Sequence, residues 1–127
     1  MNTERLTTKS RDALTAAVRQ ALTKGNPNTE PEHLLHGLLL TPDNTVGALL
    51  TKVGADPAVV DNAAVLAIDK LPSTSGSSVS QPAISGSLAR VLAQAETLAD
   101  ELGDSFVATE HLLIALAQVQ SEAEKIL

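Results

Sequence analysis

Two Glu-His pairs stand at matching places in the chain, and they are the residues best suited to chemistry. Glu32-His33 and Glu110-His111 each begin the tetrapeptide Glu-His-Leu-Leu, and the two copies lie 78 residues apart. His36 follows His33 at helical i, i+3 spacing, where two imidazoles can share a metal ion. A carboxylate and an imidazole can also serve as acid and base. One hypothesis is therefore a small metal-dependent enzyme that uses His33, His36 and His111.

The spacing of these residues favours packing over catalysis. The HxxH pattern lacks a third placed ligand, and Ile114 stands in the second copy where the first has His36. Adjacent helical residues point about 100° apart, so Glu32 and His33 do not face each other. The chain has no cysteine, no nucleophile elbow and no Gly-rich phosphate loop. We therefore expect no enzyme activity, metal site or cofactor within these residues. The histidines are expected to pack their rings and to form local hydrogen bonds.

The two glutamates have a structural and a functional interpretation. Thr29 and Glu32 fit a capping box, with Thr29 at the N-cap, Glu32 at N3 and Pro31 in the first turn. In the second copy Val107 replaces Thr29, so Glu110 loses its reciprocal partner. A carboxylate at a helix N-terminus is stabilised by the helix dipole. A glutamate that is present without its capping-box partner could instead bind a ligand. Both interpretations stay open for Glu32 and Glu110.

Composition excludes several classes of partner. Apolar residues make up 43% of the chain, the net charge is −6, and Phe106 is the single aromatic residue. A nucleic-acid binder needs a basic stripe or stacking aromatics, so nucleic acid is not an expected partner. The N-terminus has no secretory apolar segment and no apolar run could span a bilayer, so no membrane partner is expected. Together with the absence of cysteine, this predicts a soluble cytoplasmic protein.

Helical periodicity with clear start and stop signals runs through the chain, without β-alternation. The first half predicts helices from Thr7 or Thr8 to Gly25, from Thr29 to about Leu40, from about Asn44 to Lys52, and from Asp56 to Pro72. The second half predicts a helix through Leu88 and Leu102 that Gly103 ends, a Glu-His-Leu-Leu helix to about Val119, and a short helix begun by Ser121. Residues 73–83 are rich in Ser, Gly and Pro and predict a flexible linker.

The two halves repeat one another. Sliding residues 6–39 onto 84–117 without a gap gives nine identities, where this composition would give roughly three by chance. We therefore divide the domain 1–127 into repeat one (1–72), the linker (73–83) and repeat two (84–127). The fold class is all-α. Repeat two has no residues for a counterpart of the fourth helix, so it is expected to be truncated within a longer protein.

Five segments, in order and spacing, resemble a known family. They are ERLTTKSRDAL, EPEHLLHGLL, VGAD, KLP and GDSFVATEHLLIAL. Together they resemble the Clp repeat, and in particular the N-terminal domain of ClpB-type AAA+ disaggregases. The resemblance implies two tandem four-helix repeats related by a pseudo-twofold axis. It also implies an accessory domain that captures unfolded or aggregated polypeptide through a small apolar groove rimmed by carboxylates.

The resemblance further implies particular residues and partners. Thr7, Asp104 and Glu110 would face the substrate, with Leu92 in the apolar groove; Thr7 could equally be an N-cap. The parent would be a hexameric ATPase, using ATP and magnesium and working with an Hsp70-type chaperone system. The alternative is a ClpC-type domain that docks adaptor proteins or phosphoarginine-marked substrates for a Clp protease, with Glu32 and Glu110 each holding a guanidinium.

Overall fold

The computed structural model describes residues 3–41, 45–73 and 82–127. Almost all regular structure in these residues is helical, which confirms the all-α class. A short 3-10 helix at Thr3–Arg5 precedes the first α-helix. The α-helices are α1 Thr8–Thr23, α2 Pro31–Leu40, α3 Thr45–Lys52, α4 Pro57–Asp69, α5 Gly86–Glu101, α6 Thr109–Gln118 and α7 Glu122–Ile126. No helix within the described ranges is long and apolar enough to cross a membrane.

The two repeats use the same local signals at the same positions. Thr7 caps α1 by accepting a hydrogen bond from the Ser10 amide, and Ser85, 78 residues later, caps α5 in the same way. Gly25 and Gly103 adopt φ of 70° and 73° just after these helices, a conformation that glycine adopts without strain. The predicted ends of these helices are confirmed. They could be predicted because each depends on residues within one turn of the chain.

The predicted start of α2 is wrong by one residue. Pro31 is the first helical residue, and Glu30 is the N-cap with an extended backbone at φ −105° and ψ 166°. A residue that precedes proline is driven out of the helical region, so the helix cannot begin before Pro31. Thr29 therefore is not a cap, and Glu32 is the second helical residue instead of N3. The residue at N3 is His33.

Short extended segments before the helices interlock the two repeats. Strand β1 (Asn28–Thr29) pairs in parallel with β2 (Ala83–Ile84), and Leu6 forms a parallel bridge with Val107. Under the 78-residue shift Leu6 becomes Ile84 and Thr29 becomes Val107. The segment before the first helix of each repeat thus pairs with the segment before the second helix of the other. The predicted linker falls mostly on residues 74–81, outside the described residues, and its last residue, Ala83, belongs to β2.

The helices pack through a core of Leu, Ala and Val in which α2 contacts every other helix. The closest approach in the first repeat is between α1 and α2 at Gly37. A Cβ added to Gly37 would overlap the carbonyl oxygen of Ala13 and lie 3.3 Å from the Ala17 amide nitrogen. Repeat two packs α5 against α6 in the corresponding way, with Ala115 in place of Gly37. Its α5, α6 and α7 correspond to α1, α2 and α3.

We expect Thr29→Val to raise the free energy of unfolding by about 1 kcal/mol. The Thr29 hydroxyl oxygen is buried and has no hydrogen-bond partner among the described residues. An unpaired buried polar group lowers stability, and valine keeps the shape of the side chain. The denaturant midpoint measures the gain. Val107→Thr places the same hydroxyl at the equivalent buried position and should lose stability. A lower denaturant midpoint for Thr29→Val would show that the Thr29 hydroxyl has a hydrogen-bond partner.

Candidate functional site at the α5–α6 loop

The two repeated histidines close the start of their own helices. His33 Nδ1 accepts a hydrogen bond from the Glu30 backbone N–H at 2.8 Å, and His111 Nδ1 accepts one from the Ala108 N–H at 2.8 Å. An accepting Nδ1 is unprotonated, so the proton of each neutral ring is on Nε2. The expectation of local hydrogen bonding is confirmed. The side chain that bonds the N-cap amide is histidine, whereas the sequence analysis assigned this role to glutamate. The recurrence of histidine three residues after each helix start was the available signal.

The second ring nitrogen distinguishes the two copies. His33 Nε2 lies 2.9 Å from the Asn26 amide oxygen, whereas His111 Nε2 lies 2.9 Å from the Asp104 carboxylate. Asn26 and Asp104 are equivalent under the 78-residue shift. Burial, and secondarily the nearby His36, lowers the pKa of His33 to about 4. Repeat two therefore places a carboxylate, with 49% of its side chain exposed, where repeat one keeps a neutral, buried amide.

The histidines are not gathered into a metal centre in the part of the chain that the structure describes. His36 Nδ1 contacts the Asp61 carboxylate at 2.6 Å, which joins α2 to α4. His33 and His111 each use both nitrogens within their own repeat. No three of the described His, Asp and Glu side chains lie close enough together to hold a metal ion.

Arg5 organises the acidic residues around the α5–α6 loop. Its Nη2 donates to the Asp100 carboxylate at 2.8 Å, and its Nη1 donates to Glu96 at 3.4 Å. The same guanidinium reaches the backbone oxygens of Ser105 and Asp104, at 3.3 and 3.4 Å. The carboxylates raise the pKa of Arg5, and the hydrogen bond that Arg5 donates to Asp100 is the largest cause. The sequence analysis did not include Arg5, because its contact with Asp100 spans 95 residues of chain.

This charged network exists at one of two equivalent corners. Arg5 corresponds to Ala83 under the 78-residue shift. The three acidic residues Glu96, Asp100 and Asp104 correspond to Val18, Leu22 and Asn26. Because the backbone pairing at both corners is the same, the difference lies in the side chains. We call the charged one the acidic corner: Arg5, Thr7, Glu96, Asp100, residues 102–108 and Glu110.

The predicted site residues divide between this corner and the core. The Thr7 amide donates to Val107 O at 3.1 Å, and its hydroxyl accepts from the Ser10 amide at 3.1 Å. Thr7 is thus an N-cap that lies against the extended segment around Val107, which precedes α6. Asp104 lies in the loop, and Glu110 is half-buried beside His111. Leu92 is 5% exposed and packs in the core, so it offers little surface to a ligand.

Glu32 and Glu110 have different surroundings. Glu32 is 3% exposed, and its burial, with smaller effects from Glu30 and Glu122, raises its pKa. It lies at a cavity of about 600 Å³ between α4 and α7 that Lys70 also lines. Glu110 is half-buried. The two glutamates are equivalent in sequence but do not form matched sites.

An apolar cavity of about 300 Å³ lies between α3, α4, α6 and α7. Its lining includes Leu50, Leu113, Ile114 and Ile126, and it does not include Leu92. In repeat one, α4 packs against α2 and α7. Val60 of α4 also lines the cavity, and we interpret the cavity as a packing surface between the helices of the two repeats.

Comparison with known proteins identifies the family of the chain. The Clp repeat (R) N-terminal domain profile matches residues 5–127. The chaperone protein ClpB of Propionibacterium freudenreichii subsp. shermanii is 69% identical over 127 residues, which are the whole of this chain and 15% of that protein. The Hsp104 N-terminal domain from Candida albicans is 21% identical with a TM-score of 0.84, covering 95% of this chain and 78% of that one.

A plant structure extends the likeness to another branch of Clp proteins. The N-terminal domain of the caseinolytic protease associated chaperone ClpD from Arabidopsis thaliana is 24% identical with a TM-score of 0.72. The alignment covers 99% of this chain and 84% of that one. These structures share the fold of the two interlocked repeats. The chain belongs to the Clp repeat N-terminal domain family.

Proposed function

We propose that this domain captures unfolded or aggregated polypeptide for an ATP-dependent disaggregase, and that the acidic corner is the capture surface. The chain spans 15% of the length of its ClpB relative, so the ATPase ring, its magnesium and its hexameric assembly would lie in the rest of such a protein. The domain itself supplies the contact with the client.

The observation that carries this proposal is the asymmetry between the two corners. The same backbone pairing presents Val18, Leu22 and Asn26 at one corner and Glu96, Asp100 and Asp104 at the other. Packing alone would accept similar side chains at both. Exposed carboxylates beside apolar side chains suit weak, promiscuous binding of unfolded chains, because ionic contacts in water contribute modestly and exchange quickly. Thr7 and Glu110 lie at the edges of the same surface.

We expect Asp104→Asn and Glu110→Gln each to weaken binding of an unfolded client by about tenfold, through loss of a charge-assisted hydrogen bond. Asparagine at 104 can still accept from His111 Nε2, as Asn26 does from His33, so the loop should keep its structure. Fluorescence anisotropy with labelled α-casein, which lacks a stable fold, measures the affinity. Circular dichroism checks that helicity is kept.

Asp69→Asn is the matched control for Asp104→Asn. Asp69 has 47% of its side chain exposed and pairs with Lys24, away from the acidic corner, and its replacement removes the same charge. Its affinity for casein should equal that of the unchanged protein. An equal loss in Asp69→Asn would show that net charge, and not the acidic corner, governs capture.

The alternative, docking of adaptor proteins or phosphoarginine as in ClpC-type domains, is carried by the likeness of the fold to ClpD. It needs carboxylates that each hold a guanidinium. The buried Glu32 and the half-buried Glu110 do not offer two equal sites. The two functions differ in which ligand perturbs the acidic corner. An amide chemical-shift titration with an unfolded client and, separately, with phosphoarginine distinguishes them.

A further inference from the structure

The α5–α6 loop, residues 102–108, presents apolar side chains to solvent. Leu102 is 66% exposed and Phe106 is 55% exposed. Phe106 is the single aromatic residue of the chain, and aromatic side chains contribute more to a core or an interface than any other type. Keeping that ring outside the core leaves unused a large apolar contribution to folding.

The backbone on either side of Phe106 is held in place. The Ser105 carbonyl accepts from Arg5 Nε at 3.3 Å. Val107 is fully buried, donates its N–H to Arg5 O at 2.7 Å and accepts from the Thr7 N–H at 3.1 Å. The exposed ring therefore stands on a fixed backbone, and a partner that packs on it does not have to order the loop first.

Repeat one has polar side chains at the two equivalent positions of its own loop. Leu102 corresponds to Lys24, and Phe106 corresponds to Asn28. Lys24 is engaged with Asp69 at 2.9 Å. Leu22 and Ile84 are also partly exposed at the corner of repeat one, at 45% and 42%, but no carboxylate stands there at the positions equivalent to Glu96, Asp100 and Asp104. Exposed apolar side chains and these carboxylates therefore occur together at the acidic corner, which is the combination that an apolar segment with flanking cations would fit.

We propose that Phe106 is the apolar anchor of the acidic corner, selecting client segments in which an apolar side chain is flanked by Lys or Arg. This inference rests on the proposed function and names its substrate class. The client's apolar side chain packs on the Phe106 ring beside Leu102. Its basic neighbours reach Asp104 and Glu110, and acidic neighbours are repelled by the same carboxylates.

The test uses three labelled peptides of equal length, in which an aliphatic centre has Lys-Arg flanks, an aliphatic centre has Glu-Asp flanks, or a Gly-Ser centre has Lys-Arg flanks. We expect the first to bind at least tenfold more tightly than either of the others. Phe106→Ala should weaken binding of the first peptide about tenfold, as for an anchor in a protein interface. Phe106→Leu, which keeps apolar area, should lose less.

Val59→Ala is the control, because Val59 is 63% exposed on α4, away from the loop. Its affinity should be unchanged, and the thermal midpoint of every variant reports the fold. Binding of the first peptide by Phe106→Ala at full strength would overturn the anchor while leaving capture intact, as would equal binding of the Glu-Asp peptide. Failure of the unchanged protein to bind either casein or any peptide would overturn the proposed function as well.

Discussion

Replacing Gly37 with alanine is expected to lower the free energy of unfolding by about 3 kcal/mol, the upper range for an overpacked core. The added Cβ would overlap the Ala13 carbonyl oxygen, and it would lie 3.3 Å from the Ala17 nitrogen. Both atoms belong to the backbone of α1 and cannot rotate away, so α1 and α2 must separate. The gain in helix propensity of about 1 kcal/mol does not offset this loss. Equilibrium urea unfolding measures the change.

Gly86→Ala is the matched control for Gly37→Ala. Gly86 is also helical, and a Cβ there would meet only the Arg90 side chain at 3.8 Å. We expect a change of no more than about 0.5 kcal/mol, in the stabilising direction. If Gly37→Ala stabilises the protein as much as Gly86→Ala does, then α1 and α2 do not approach each other as closely at Gly37 as described above.

The second large effect is the dependence of stability on pH through His33, which should contribute a loss of about 3 kcal/mol between pH 7 and pH 4. Burial lowers the pKa of His33 from 6.5 to about 4 in the folded protein. The unfolded chain takes up this proton first as pH falls. It therefore binds more protons than the folded chain across that interval, and stability falls with pH until it levels off below pH 4. The buried Glu32, whose pKa is raised, works in the opposite direction.

The variant His33→Gln isolates this contribution, since glutamine does not titrate. The variant should be less stable than the unchanged protein at pH 7. The substitution alters the hydrogen bond that the Glu30 amide donates to the side chain at position 33 and the one between that side chain and Asn26. Its stability should nonetheless fall less between pH 7 and pH 4, by about 3 kcal/mol. Urea midpoints at several pH values measure both slopes. Equal slopes, or an imidazole resonance of His33 that titrates near its ordinary value, would contradict the account.

Features that depend on neighbours in sequence were predictable. Gly25 and Gly103 end their helices, Asp56 caps α4 and Pro57 begins it, as the pattern predicts. The capping-box pattern misplaces the start of α2 because Pro31 restricts Glu30 to an extended backbone, which makes Glu30 the N-cap. The side chain that accepts from the N-cap amide is that of His33 at N3.

Features that depend on the meeting of distant segments were not predictable. The 78-residue repeat indicates duplication, but it does not tell which end of one repeat pairs with which end of the other. The contact of Arg5 with Asp100 exists only because Leu6 pairs with Val107. A lone aromatic such as Phe106 is ordinarily assigned to a core, and its exposure follows from that same pairing. The burial of Leu92 likewise depends on how α5 packs against α6.

The most direct test of the central claim is an amide chemical-shift titration of this domain with an unfolded client and, separately, with phosphoarginine. We predict that casein alone shifts the amides of Thr7, Asp104, Phe106 and Glu110, with smaller changes at Leu92 beneath them. The amide chemical shifts of the equivalent residues of repeat one, Asn26 and Asn28, should not change. Paired shifts around Glu32 and Glu110 with phosphoarginine, and none at the α5–α6 loop with casein, would contradict capture at the acidic corner and favour docking for a Clp protease.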